Sequence, residues 1–133
     1  MKLINLKSLK REEFIDITHL VSKEVEEAKI KNGVCILSSL HTTGGLTINE
    51  NSDPSVVKDI LATFKKMAPD DAKYSHSEGN SDAHIKTSLT GTSLNLIIRN
   101  GELVLGTWQG IYFCEFDGPR SRKVAIQLIR SEA

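Results

Sequence analysis

The sequence predicts an α+β fold: a curved, mainly antiparallel β-sheet, barrel-like or sandwich-like, with two or three helices. Three observations predict it. Val56, Val57, Ile60, Leu61, Phe64 and Met67 recur at helical spacing behind Asp53-Pro54. The last third reads as strands joined at Asn100-Gly101, a pair suited to a tight hairpin because both turn positions need positive φ. Leu103-Val-Leu and Ile111-Tyr-Phe-Cys are apolar on both faces. Such strands need cover on both sides, from helices, a closed barrel or a subunit interface.

Residues 2–8 and 13–17 read as short strands. Thr18 is placed to cap a helix running to about Lys31, with Leu20, Val21, Val25 and Ala28 on one side and Gly33 at the exit. The mostly apolar run Val34 to His41 predicts a buried strand. Thr43-Gly-Gly breaks it, and Leu46 to Glu50 continues as a second strand. Asp53 is an acidic N-cap and Pro54 suits the first helical position, so a helix begins there and ends before Pro69. Residues 70–81 form a polar loop. Asp82 is placed to cap a short helix through Leu89, stopped by Gly91. Strands follow over 94–99, 102–107, 110–116 and 123–130.

At 133 residues the chain is one domain, spanning 1–133, and long enough to bury a core. Lys+Arg and Asp+Glu both number 17. That balance argues against an extended nucleic-acid or anionic-membrane surface. The amino-terminal segment alternates like a strand and lacks the apolar stretch of a secretion signal. No apolar run reaches the roughly 18 residues that span a bilayer. A cytoplasmic protein is the expectation. Cys35 and Cys114 sit in apolar strand-like runs, so they are expected as buried, reduced thiols.

The polar stretch from 41 to 84 carries the chemistry. It holds His41, His76 and His84 together with Glu50, Asp53, Asp59, Glu78 and Asp82. Imidazoles and carboxylates bind metals and move protons near neutral pH. The His76–His84 spacing matches no standard zinc-finger or HExxH pattern, so a three-histidine metal site and structural histidines both stay open. Asp53 is explained as a cap, whereas Glu50 at a strand end has no such explanation. Asp59 lies at the edge of its helix's apolar stripe. Glu115 shares a strand face with Ile111 and Phe113, where a carboxylate needs a partner. Arg120, Arg122 and Lys123 are the nearby cations. A structural ion pair and a tuned acid or base are the two readings. Gly44-Gly45 and the Gly106–Gly110 segment permit close backbone approach.

Three blocks are recognisable as words. They are His41-Thr-Thr-Gly-Gly-Leu-Thr-Ile-Asn-Glu-Asn-Ser-Asp-Pro54, Asn80-Ser-Asp-Ala-His-Ile-Lys86, and Leu105 through Arg122 with Gly-Thr-Trp-Gln-Gly and Asp-Gly-Pro-Arg inside it. Together they resemble the YjbQ family, described as secondary thiamine-phosphate synthases. The resemblance implies a compact α+β fold around a curved antiparallel sheet, assembled as a homotrimer. It implies a polar pocket drawn from His41, Glu50, Asp59, His76, His84, Gln109 and Glu115. In that carry-over His41, His76 and His84 are metal ligands, and Glu50, Asp59, Gln109 and Glu115 are catalytic candidates. Lys86 and Arg122 are the residues to hold phosphate. A divalent metal, zinc or magnesium, is implied as cofactor, and a small phosphorylated metabolite as ligand.

The implied reaction joins a pyrimidine-methyl diphosphate to a thiazole phosphate and releases pyrophosphate. The sequence has no paired-aspartate diphosphate motif, and "secondary" suggests a side activity. Two other readings therefore stand beside the enzyme: a metal- or metabolite-binding protein without turnover, and a hydrolase of another phosphorylated substrate.

Overall fold

The computed structural model describes residues 1–132. Its elements run β1 (Lys2–Lys7), β2 (Glu13–Asp16), α1 (Thr18–Ala28), β3 (Gly33–Ser39), β4 (Gly44–Glu50), α2 (Pro54–Met67), α3 (Ser81–Thr90), β5 (Ser93–Arg99), β6 (Glu102–Leu103), β7 (Gln109–Glu115) and β8 (Ser121–Arg130). Five strands form one sheet in the order β1-β8-β3-β5-β6, and three form another in the order β2-β7-β4. All the pairings are antiparallel. The result is the expected α+β fold with three helices.

The core lies between the two sheets. Ile4, Leu37, Leu96 and Ile126 from the first meet Leu46, Ile111 and Phe113 from the second, and Val21 and Val25 of α1 close the cluster. The opposite face of β7 presents Tyr112 and Cys114, with Phe116 just beyond the strand, to a smaller cluster with Val57, Leu61 and Phe64 of α2 and Ala83 of α3. This explains why the β7 sequence is apolar at successive positions: one face meets the core and the other meets helices. Both cysteines are free and buried, as expected.

Several boundaries differ from the sequence reading. Thr18 opens α1 but does not cap it. Its hydroxyl donates to Asp16 Oδ1 at 2.6 Å and accepts from the Ile111 amide at 2.8 Å, so it ties α1 to β7. The helix ends at Ala28, where Lys29 turns left-handed at φ 54°. Gly33 starts β3 instead of ending the helix. A Cβ there would stand 2.0 Å from the Ile129 carbonyl oxygen of β8. Gly44 and Gly45 belong to β4 and do not interrupt a strand. Asp82 lies inside α3, as the second residue of its first turn, and its carboxylate is held by Arg11 and Lys86 instead of capping the helix. β6 stops at Leu103, short of Thr107. Asp53 does cap α2, accepting from the Ser55 amide at 2.9 Å, and Asn100 and Gly101 turn the β5–β6 hairpin at φ 53° and 80°.

Candidate functional site

The site is built where β3 ends and α3 comes to rest against β4. β3 carries the chain outward through Ser39, and His41 follows one residue beyond Leu40. Ser39 Oγ donates to the Gly44 carbonyl at 2.6 Å and accepts from the His41 amide at 3.3 Å, fixing the connection. On the other side Gly91 ends α3 at φ 88° and its carbonyl accepts from the Leu46 amide at 3.0 Å. Gly45 permits this approach, since a Cβ there would stand 2.2 Å from Thr90 Oγ1.

Between these two chain segments lies a cavity of about 530 Å³, lined by His41, Thr42, His84, Thr87, Ser88, Gly91 and Thr92. Two of the three candidate histidines therefore share one pocket. The third, His76, sits in the exposed loop with its ring 5.4 Å from that of His84, edge to face at 88°. The pocket wall contains no carboxylate among the described residues. The Gly91 and Thr92 carbonyls are already used by the Leu46 and Ser39 amides, and the His84 carbonyl accepts from Ser88 Oγ at 3.0 Å. Imidazoles and hydroxyls are what remains for a ligand.

His41 is held tightly. Its Nε2 accepts from the Lys123 amide at 2.7 Å, and its ring meets the edge of Phe113 with centroids 6.3 Å apart. Burial lowers its pKa, and the positive charge of Arg122 lowers it further. Arg122 in turn lies 6.0 Å from the same Phe113 ring.

Arg122 and Glu115 form a buried pair below the pocket. Arg122 Nε donates to Glu115 Oε1 at 2.8 Å, and Nη2 bonds Glu115 Oε2 and donates to Thr43 Oγ1 at 2.9 Å. Ser8 Oγ donates to Glu115 Oε1 at 2.6 Å. Burial opposes ionisation of Glu115, but the bonds from Arg122, Ser8 and the Asp117 amide outweigh it and hold the carboxyl below its ordinary range. The expectation of a paired carboxylate on an apolar face is met, with Arg122 as the partner.

A second buried network pins α3 from behind. Lys86 Nζ donates to Asp82 Oδ2 at 3.0 Å and Glu12 Oε1 at 2.9 Å, while Arg11 grips both Asp82 oxygens at 3.1 Å. Lys86 is fully buried there. Its charge is matched by two carboxylates, so the geometry gives no support to a phosphate role for Lys86. The remaining candidates do not reach the pocket wall. Asp59 is exposed on α2. The carbonyl of Glu50 accepts from Tyr112 Oη at 3.2 Å at the far end of β4. Gln109 Oε1 accepts from the Gly106 amide at 2.7 Å and closes its own turn.

A zinc or magnesium site does not fit this donor set within one chain. Among the described residues no three of His, Cys, Asp and Glu stand together as metal ligands. The lone pair of His41 Nε2 is occupied by the Lys123 amide proton, and His76 Nε2 lies 3.7 Å from Glu78 Oε2 in the loop.

Sequence reasoning missed Thr42, Thr87, Ser88 and Thr92. Thr87 is the most informative of them, being 3% exposed with an Oγ1 that has no partner. Its position one turn after His84 on α3 was the available signal.

The comparisons with known proteins agree with this architecture. A family model described as UPF0047 protein YjbQ-like matches residues 2–131. UPF0047 protein MJ1081 of Methanocaldococcus jannaschii is 49% identical over 93% of this chain and 90% of its own length. UPF0047 protein YugU of Bacillus subtilis is 48% identical over 97% and 98%. The crystal structure of an uncharacterized YjbQ/UPF0047 protein from Clostridium acetobutylicum superposes with a TM-score of 0.95 at 53% identity, covering 97% of this chain and 100% of that one. A YbjQ-like protein of unknown function from Sulfolobus solfataricus gives 0.93 at 31% identity, over 98% and 96%. With nearly its whole length matched, this chain belongs to the YjbQ/UPF0047 family.

Proposed function

We propose that the protein is a small enzyme acting on a phosphorylated metabolite in the His41–His84 pocket. The reaction to test first is the joining of a pyrimidine-methyl diphosphate to a thiazole phosphate, as a main or a side activity. The observation that supports this reading is the pocket wall: two imidazoles and several hydroxyls, with no carboxylate to repel a phosphate. In the reaction the bond from the pyrimidine methylene carbon to the diphosphate oxygen breaks. The thiazole nitrogen supplies the electron pair for the new carbon–nitrogen bond, and pyrophosphate leaves with the old one. No proton is consumed in that exchange, so the protein's work is to orient both substrates and to stabilise the departing charge. His84 is the group to donate a hydrogen bond to the leaving oxygens.

The experiment is an assay of purified protein with both substrates, reading thiamine phosphate. Wild type forms product and folded His84→Ala does not. Equal rates in the two proteins remove His84 from the mechanism, and no product from wild type removes the synthase reading.

A second reading, a binding protein without turnover, is favoured by one observation. Lys86 and most of Arg122 are tied to carboxylates, which leaves few cations to neutralise a diphosphate. Metal analysis and phosphate-ester calorimetry, with a phosphatase panel for the hydrolase alternative, separate these outcomes.

Self-association as a homotrimer is part of the proposal. Ile129, Val34 and Ile97 lie opposite one another across β8, β3 and β5, and the Val104 amide bonds the Ile97 carbonyl. These four side chains are 49%, 38%, 63% and 50% exposed, forming one apolar row across the open face of the larger sheet. No helix of the described chain is long and apolar enough to cross a membrane. A cytoplasmic location is proposed with the rest, for fractionation to test.

A further inference from the structure

From the bond between Lys123 and His41 we infer that His41 is a fixed neutral donor, presenting Nδ1–H to an anionic oxygen of the ligand, and not a metal ligand or a proton shuttle. The inference rests on the phosphate reading of the pocket and sharpens it.

A backbone N–H does not lose its proton, and the Lys123 amide donates to His41 Nε2 at 2.7 Å. Nε2 must therefore carry a lone pair, and in a neutral imidazole the proton then belongs to Nδ1. Turning the ring over would bring Cε1 to the position of Nε2, where an N–H has nothing to bond, so the orientation is unambiguous. Protonating the ring would set two N–H groups against each other across that distance. Binding a metal through Nδ1 would require the proton to move to Nε2, with the same collision. Three other features keep the ring where it is: the Ser39–His41 bond, the Phe113 edge and the Arg122 charge nearby.

Nδ1 is bonded to none of the described residues, and His41 lines the cavity beside Thr42 and opposite His84. A preorganised N–H donor with no carboxylate on the surrounding wall suits an oxyanion. The ligand class is a phosphate or diphosphate ester, with inorganic pyrophosphate as the simplest probe.

Nitrogen-15 NMR of histidine-labelled protein reads the tautomer without any ligand. Support is a pyridine-like Nε2 and a pyrrole-like Nδ1 for His41 near neutral pH, followed by a saturable shift of the Nδ1 proton on adding pyrophosphate. An Nε2–H tautomer, or zinc displacing the His41 resonances at stoichiometric concentration, overturns the assignment. So does pyrophosphate binding that leaves Nδ1 unmoved. Variants give an independent reading. His41→Asn keeps an amide N–H near the Nδ1 position, so pyrophosphate affinity stays close to wild type, whereas His41→Ala loses it by about tenfold or more, the usual worth of a bond to a charged group. Equal losses in the two variants count against the donor role. If wild type does not bind pyrophosphate at all, the phosphate reading of the pocket fails, and the donor role to an anion fails with it. The tautomer spectrum still reports in that case whether the Lys123 amide donates to His41 Nε2.

Discussion

Arg122 and Glu115 meet with almost no solvent contact: their side chains are 1% and 0% exposed, and Nε donates to Oε1 at 2.8 Å. They are seven residues apart, across the Asp117–Arg120 turn that joins β7 to β8. The pair is thus a clasp between the two sheets, since β7 belongs to one and β8 to the other. Removing one member strands a buried charge. Arg122→Ala or Glu115→Ala is expected to cost about 3–5 kcal/mol, while replacing both by apolar residues of similar volume costs much less. Urea denaturation of the two single variants and the double variant checks this. Additive losses would show that the charges do not act as a pair.

Acid should unfold the protein through its buried carboxylates. Burial resists ionisation of Glu115 and Asp82, yet their cation and hydroxyl partners hold both below their ordinary values of 4.5 and 3.8. A depressed folded pKa means stability that is complete above those ordinary values and is lost as pH falls through the folded ones. Melting temperature should be level from neutral pH to about pH 5 and fall steeply below pH 4. In Asp82→Asn the start is lower and the slope shallower. An equal slope would exclude Asp82 as a contributor.

Thr87→Val should leave the free protein no less stable. Thr87 Oγ1 is buried without a partner, so a methyl of the same shape removes an unmet hydrogen-bonding group. Stability of the free protein is expected to hold or rise by up to about 1 kcal/mol. Chemical denaturation measures it, and a large loss would reveal a bond the hydroxyl makes in solution.

Gly45→Ala tests the approach of α3 to β4. The new Cβ would meet Thr90 Oγ1 at 2.2 Å and the Gly91 carbonyl oxygen at 2.5 Å, and the second is backbone. Overpacking of this kind costs about 1–3 kcal/mol. The Leu46–Gly91 bond should weaken, which faster hydrogen exchange at the Leu46 amide would register. Wild-type protection there would mean the helix end moves without cost.

The apolar row predicts the outcome of Ile97→Lys. A charge at the most exposed member should disfavour assembly and leave the fold intact, because the side chain makes no core contact. Light scattering at micromolar concentration is expected to give a trimer for wild type and a monomer for the variant. A monomeric wild type rejects the trimer.

Local patterns in the chain determined most of the elements. The Asp53-Pro54 cap, the period of α2, the Asn100-Gly101 hairpin and the two-faced apolar β7 are each decided by neighbours within one turn or one strand, and those patterns are visible without coordinates. The gathering of His41, His76 and His84 in one polar stretch was visible too, and so was the need of Glu115 for a partner. Tertiary structure decided everything that depends on distant segments. Only the crossing of α3 over β4 brings His84 to His41, and only the return of β8 puts the Lys123 amide on Nε2 and so selects a tautomer. Glu12, about seventy residues before Lys86, joins Asp82 in neutralising a lysine that the family resemblance offered to phosphate, and Arg11 holds that Asp82 in place. Glu50 and Gln109 share the motif blocks of His41 and Arg122 but do not line the cavity, and Asp59 lies outside both. The physical reason is the same in each case. Local propensity sets which way a side chain faces on its own element, whereas the charge and hydrogen bonds it meets there come from residues remote in the chain.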